Sequence, residues 1–241
     1  MSYDSNNRWS ASANATSIPQ IGIDVGLRNY MLRVYNYMAG GLAITGVVAY
    51  LAAVSGLYAQ IAATPLIWVV VFAPLALVLL FSFRIQKMSL GAVQATFWGF
   101  AALMGLSLSY IFLVYTGASI AQVFFITAAT FLAMSIYGYT TKRDLSRFGS
   151  FLMMGLIGII IASLVNFFFH SAAIQFAISI IGVIVFTGLT AYDTQNIKEM
   201  YWEGDGSEIA GKKAIMGALR LYLDFINLFI LLMQLMGNRR N

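Results

Sequence analysis

Two carboxylates occupy positions where water is scarce. Asp193 lies in GLTAYDTQNIK, at the end of one apolar run, and Asp224 lies in LYLDFINLFILL, inside another. An ionisable group within a lipid-spanning segment costs about 2.5–3.5 kcal/mol by insertion scales, and groups kept at that cost mark ion or proton paths. Both acids open the same four-residue frame, Asp-x-x-Asn: Asp193 with Asn196, and Asp224 with Asn227. Residues at i and i+3 share a helix face. A carboxylate and an amide oxygen on one face suit a hard cation, which takes oxygen ligands. If the two carboxyl groups approach each other, both cannot be ionised cheaply, so they share a proton and titrate as a unit. Arg84, at the end of another apolar run, is a candidate to hold one acid ionised. A bond from Arg84 to Asp193 that protonation weakens would act as a pH-sensitive latch. Protonation would also remove the charge that attracts cations; the two effects oppose, and the direction of gating stays open. Arg220, one helical turn before Asp224, is a competing partner for that acid.

The elements that carry these residues follow from composition. Of 241 residues, 60% are hydrophobic and 10% charged, with a mean hydropathy of +0.81. A soluble domain carries about 25% charged residues, so an integral membrane protein is expected. A helical crossing needs about 20 apolar residues. Seven runs qualify: 34–59, 65–83, 91–114, 118–140, 149–170, 172–193 and 214–236. In lipid each must satisfy its own backbone hydrogen bonds as a helix, so the fold class is an all-α bundle of seven transmembrane helices. Thr64-Pro65 reads as a helix start, and Pro74 as a kink within the second run. Residues 1–24 read as a flexible cytoplasmic tail, 25–237 as the membrane domain and 238–241 as a short C-terminal tail. The segment 194–213, mixed in charge and containing Gly204 and Gly206, reads as a flexible loop.

The basic residues sort by side. Eleven of the 14 fall before the first run or in the connections after the second, fourth and sixth; the connections after the first, third and fifth have none. The positive-inside rule then puts the N-terminus in the cytoplasm and the C-terminus outside, in the periplasm of a bacterium. Arg239 and Arg240 are the features against it, and a re-entrant seventh run would put both ends inside. On this sidedness Asp193, Asp224 and Arg84 converge on the cytoplasmic half of the bilayer. The net charge of +5 is thereby explained by topology, leaving no basic patch for a nucleic acid.

Several chemistries lack their residues. There is no cysteine, so no thiol nucleophile or Cys-based metal site exists. The single histidine, His170, sits beside three phenylalanines and reads as an interfacial residue. Gly-x-Ser occurs in GLSLS (105–109) and GAS (117–119), but such serines in membranes are ordinarily packing residues. No lysine lies inside the seventh run to form a Schiff base, and no Walker pattern is present. No enzyme and no cofactor are expected. Asn14-Ala15-Thr16 matches a glycosylation sequon, a pattern common by chance.

GLTAYDTQNIK followed by LYLDFINLFILL resembles the paired signatures of the transmembrane Bax-inhibitor-motif family, in its bacterial branch, and GFAALMGLSLSYIF resembles that family's small-residue helix. The likeness covers about residues 25–237. It implies a seventh helix ringed by the other six, and a pH-sensitive Ca²⁺ leak in which Asp193 and Asp224 are the pH-sensing pair and Arg84 is linked to Asp193. Arg220 is not part of that general pattern. Some bacterial relatives are instead held to restrain a membrane protease. The two expectations are therefore a Ca²⁺ leak or exchanger of the bacterial inner membrane gated by protons, or a non-transporting regulator that binds membrane proteins such as a quality-control protease.

Overall fold

The computed structural model describes residues 25–240. The tail 1–24 and the sequon at Asn14 lie outside them. The described chain is helical: α1 (Val25–Val54), α2 (Leu57–Ala62), α3 (Leu66–Arg84), α4 (Leu90–Leu108), α5 (Tyr110–Val114), α6 (Gly117–Thr140), α7 (Ser146–Phe169), α8 (Ala172–Glu199) and α9 (Ser207–Met236). Among the described residues seven stretches are long and apolar enough to cross a membrane, the expected number, with α4 and α5 forming one crossing broken at Ser109.

The helices outrun the apolar runs at their polar ends. α1 begins nine residues before the expected run, because Arg28, Arg33 and their neighbours sustain helix without needing lipid. α8 continues six residues past Asp193, and α9 starts at Ser207. The expected flexible loop 194–213 is thus corrected to a connection of 200–206. It is braced: Lys213 Nζ donates to the Met200 carbonyl at 3.0 Å and pairs with Asp205 at 2.5 Å. At the start of α3, Thr64 Oγ1 accepts from the Leu66 amide at 3.3 Å, and Pro65 takes helical angles. Pro74 lies inside α3.

One end of the bundle collects the ends of α6 and α8 and the starts of α7 and α9. Lys198 Nζ donates to the Tyr139 carbonyl at 2.9 Å, and the Leu145 amide to Gln195 Oε1 at 2.8 Å. At the other end the last residues dock on the α5–α6 connection. The Thr116 amide donates to Asn238 O at 3.0 Å, the Asn238 amide to Ser119 Oγ at 2.9 Å and the Arg240 amide to Val114 O at 2.8 Å. α9 therefore traverses the whole bundle rather than re-entering.

α9 is the most buried crossing: 67% of its most apolar stretch is enclosed by protein, against 17% for α3 and 11% for α7. It packs against α8, α1, α6 and α4. α3 and α7 lie outside this group, packing mainly on α4 and on α8 respectively. Close approach rests on small residues, as it does where lipid offers no hydrophobic drive. A methyl group on Gly182 would meet Leu231 Cδ1 at 2.7 Å, and one on Gly217 would meet Ile197 Cγ2 at 2.9 Å. The Gly-x-Ser hydroxyls are spent on packing: Ser107 donates to the Val70 carbonyl and Ser109 to Gly105 O.

Candidate ion and proton site

α8 and α9 run antiparallel. Facing pairs (Ile197 with Gly217, Gly182 with Leu231, Ser179 with Gln234) have residue numbers of nearly constant sum, which fixes the register. On that register Arg220 falls at the level of Asp193, and Asp224 about one turn deeper. Asp193 is half-buried and Asp224 only 4% exposed. Both acids line the same cavity and are near enough to act on each other electrostatically. Asp224 Oδ2 is buried without a hydrogen-bond partner. A buried polar atom left unpaired costs about 1–3 kcal/mol, so this oxygen is placed for a guest: a proton, a water or a cation.

The pair opens on a cavity of about 1060 Å³. Its floor is one stripe of α8 and one of α9. Asp193 and Asn196 share the α8 stripe; Arg220, Asp224 and Asn227 share the α9 stripe. The i, i+3 frames thus bring all four Asp and Asn side chains to one space. Asn227 Nδ2 donates back to the Leu223 carbonyl at 2.8 Å, which leaves its Oδ1 for the cavity. α7 lines it with apolar side chains and one hydroxyl, Ser163, and α3 contributes Leu75.

The arginines separate. Arg220 lines the cavity and is the cationic neighbour of both acids, yet forms no ion pair within 4.0 Å with a described residue. Arg84, exposed like Arg220, ends α3, does not line this cavity and also forms no ion pair among the described residues. The structure brings Arg220, not Arg84, to the two acids. The cause is geometric: α3 packs on α4 at the periphery, whereas Arg220 rides on the helix that carries Asp224.

Among the described residues no group of three or more acidic, His or Cys side chains converges as a metal nest. Two carboxylates and two amide oxygens supply at most six oxygens, the lower end of the six to eight that Ca²⁺ takes, and only if both carboxylates bind in bidentate fashion.

Sequence reading missed the far end of the cavity. Gln175 and Gln234 line it there, with Gln175 Nε2 donating to Gln234 Oε1 at 2.8 Å. The signal was register. Asp224, Asn227, Leu231 and Gln234 follow a helical stripe, as do Gln175, Ile178, Phe186, Leu189, Asp193 and Asn196.

Comparison with known proteins places the chain. A family model described as "Inhibitor of apoptosis-promoting Bax1" matches residues 27–241. The chain is 52% identical over 219 residues to the inner membrane protein YbhL of Escherichia coli strain K12, covering 89% of this chain and 94% of that one. It is likewise 52% identical over 219 residues to the protein RP147 of Rickettsia prowazekii, covering 90% and 93%. A membrane protein of Streptococcus pyogenes, SpyM3_0260, is 37% identical over 218 residues, covering 89% and 94%. With nearly the whole chain matched, and with seven membrane-crossing helices, this protein belongs to the Bax inhibitor family of membrane proteins.

Proposed function

We propose that the protein is a pH-sensitive cation leak of the bacterial inner membrane, with Ca²⁺ as cargo, gated by proton binding to the Asp193–Asp224 pair. One observation carries the reading: two carboxyl groups, one with a buried and unpartnered oxygen, line one cavity of about 1060 Å³. A protonated pair is neutral and offers a cation little; an ionised pair offers two negative oxygens in a low-dielectric wall, where charge acts strongly. Arg220 opposes cation entry while its charge is unanswered, and its side chain is the counter-charge of the gate. The polar residues of the path run from Asn196 to Gln175, twenty-one residues along α8. At 1.5 Å per residue that is about 31 Å, the thickness of a hydrocarbon core. The basic end of the bundle faces the cytoplasm in this reading, so the N-terminus is inside and the C-terminus in the periplasm.

The test is Ca²⁺ flux in liposomes holding only this protein, at two pH values, with K⁺ and Mg²⁺ as competitors. Flux that depends on pH in the parent and loses that dependence in Asp193→Asn/Asp224→Asn supports the reading. Flux and pH response unchanged in the double variant would remove the pair from the mechanism.

A further inference from the structure

Gln175 and Gln234 sit at a place the Asp pair does not account for. Besides the main cavity, a second one of about 310 Å³ lies at the opposite end of the bundle, beside Tyr110 and Arg239. Three residues line both: Gln175, Ile230 and Gln234. The two spaces are therefore neighbours separated by these side chains. The separation includes a side-chain bond, Gln175 Nε2 to Gln234 Oε1 at 2.8 Å. The same Oε1 accepts from Ser179 Oγ at 2.9 Å, and Gln175 Oε1 accepts from Asn166 Nδ2 at 3.2 Å. Asn166 is fixed in turn by the Ser171 amide, which donates to its Oδ1 at 2.9 Å. The amides thus tie α7, α8 and α9 together at one point.

Polar glue between helices is the ordinary use of such a network. Its position argues for more. Helix approach in this region already rests on Gly182 receiving Leu231, without the amides. Gln234 itself is exposed rather than packed. A carboxamide is also the right chemistry for a barrier that must sometimes pass a cation. It seals by hydrogen bonds, opens by rotation of side chains, and offers a ligand oxygen without a charge that would trap the ion.

We propose that Gln175 and Gln234 form a second gate, at the end of the cavity away from the Asp pair, which divides the path into an inner chamber and an outer vestibule beside Arg239. This rests on the reading that the cavity is a pathway, and the test separates the two. The chain contains no cysteine, so a single introduced thiol is the only one. Leu223→Cys places it in the inner chamber, and a small membrane-impermeant thiosulfonate is applied from the Arg239 side of oriented vesicles. Labelling is expected to be slow in this background. It should rise about fivefold when Gln175→Ala and Gln234→Ala are added, the population change that loss of one typical hydrogen bond produces. Thermal unfolding checks that the variant folds; if it does not, Gln234→Asn, which keeps the amide but shortens its reach, should raise labelling alone. Labelling unchanged in a folded variant overturns the gate, whether protein or a lipid chain fills the passage. Labelling that rises while Ca²⁺ flux is absent keeps the gate and removes the cation reading instead.

Discussion

At the scale of single residues the site is defined by which charges share one space. Asp193 and Asp224 were legible because each stands alone in an apolar run, and each carries an asparagine at i+3. Which arginine serves them was not legible. Arg84 and Arg220 both lie near span ends, and a one-dimensional reading cannot place a residue on one side of a bundle. Helix packing decides it: Arg220 shares the cavity with both acids and Arg84 does not. The expected result is that Arg220→Gln displaces the pH midpoint of flux, whereas Arg84→Gln leaves it where it is. Flux measured across a pH series in liposomes checks both. A midpoint moved only by Arg84→Gln would restore the latch to the second crossing. The two glutamines escaped notice for a related reason. Polar residues near a span end carry little signal by themselves, and only their register with the acids, a whole helix away, distinguishes them.

At the scale of elements, the helices were legible to within a turn on their lipid side and poorly at their polar ends. Hydropathy locates what must be in lipid; it does not see helix that continues into water, such as residues 194–199 of α8. Two predictions concern these elements. Gly138 of α6 lies against the backbone of α8, where a methyl group would press into the Ala191 carbonyl. Backbone cannot step aside as a side chain can, so Gly138→Ala should destabilise the protein by about 1–3 kcal/mol, the cost of overpacking. Its unfolding midpoint in detergent should fall, with little change in Gly158→Ala, where a methyl group meets nothing within 4 Å. At the start of α7, Asp144 Oδ1 accepts from the Ser146 amide at 2.8 Å, and these hydrogen bonds hold its carboxyl below the usual range. A depressed folded value means that the contribution is present above the unfolded value and is lost as pH falls through the folded one. Asp144→Ala should therefore unfold earlier than the parent at neutral pH, with the gap closing on acidification. A gap independent of pH would show that the side chain does not act through its charge.

At the scale of the whole molecule, the distribution of charge and the path of α9 decide which compartment each end of the cavity serves. Arg28 and Arg33 at the start of α1, Arg84 and Lys87 at the end of α3, Lys142 and Arg143 after α6, Arg147 at the start of α7, and Lys198, Lys212 and Lys213 gather at the end where α6 and α8 stop and α7 and α9 begin. Arg239 and Arg240 are at the other end, against the bias of the rest. Docking of residues 238–240 against Val114–Ser119 resolves the path of the chain, because that connection lies between α5 and α6. The backbone of Arg240 bonds to Val114, and Tyr115 pairs with Arg239. Two cations held in this way are fixed by the fold of the C-terminus and are too few to reverse the bias of the other end. Single thiols test the orientation: Glu203→Cys in the α8–α9 connection and Arg240→Cys in the docked tail. In intact spheroplasts an impermeant maleimide should label Arg240→Cys at once and Glu203→Cys only after permeabilisation. The reverse order would invert the protein. The Asp pair, nearer the basic end, would then sense periplasmic rather than cytoplasmic pH, while the glutamine barrier would face the cell interior.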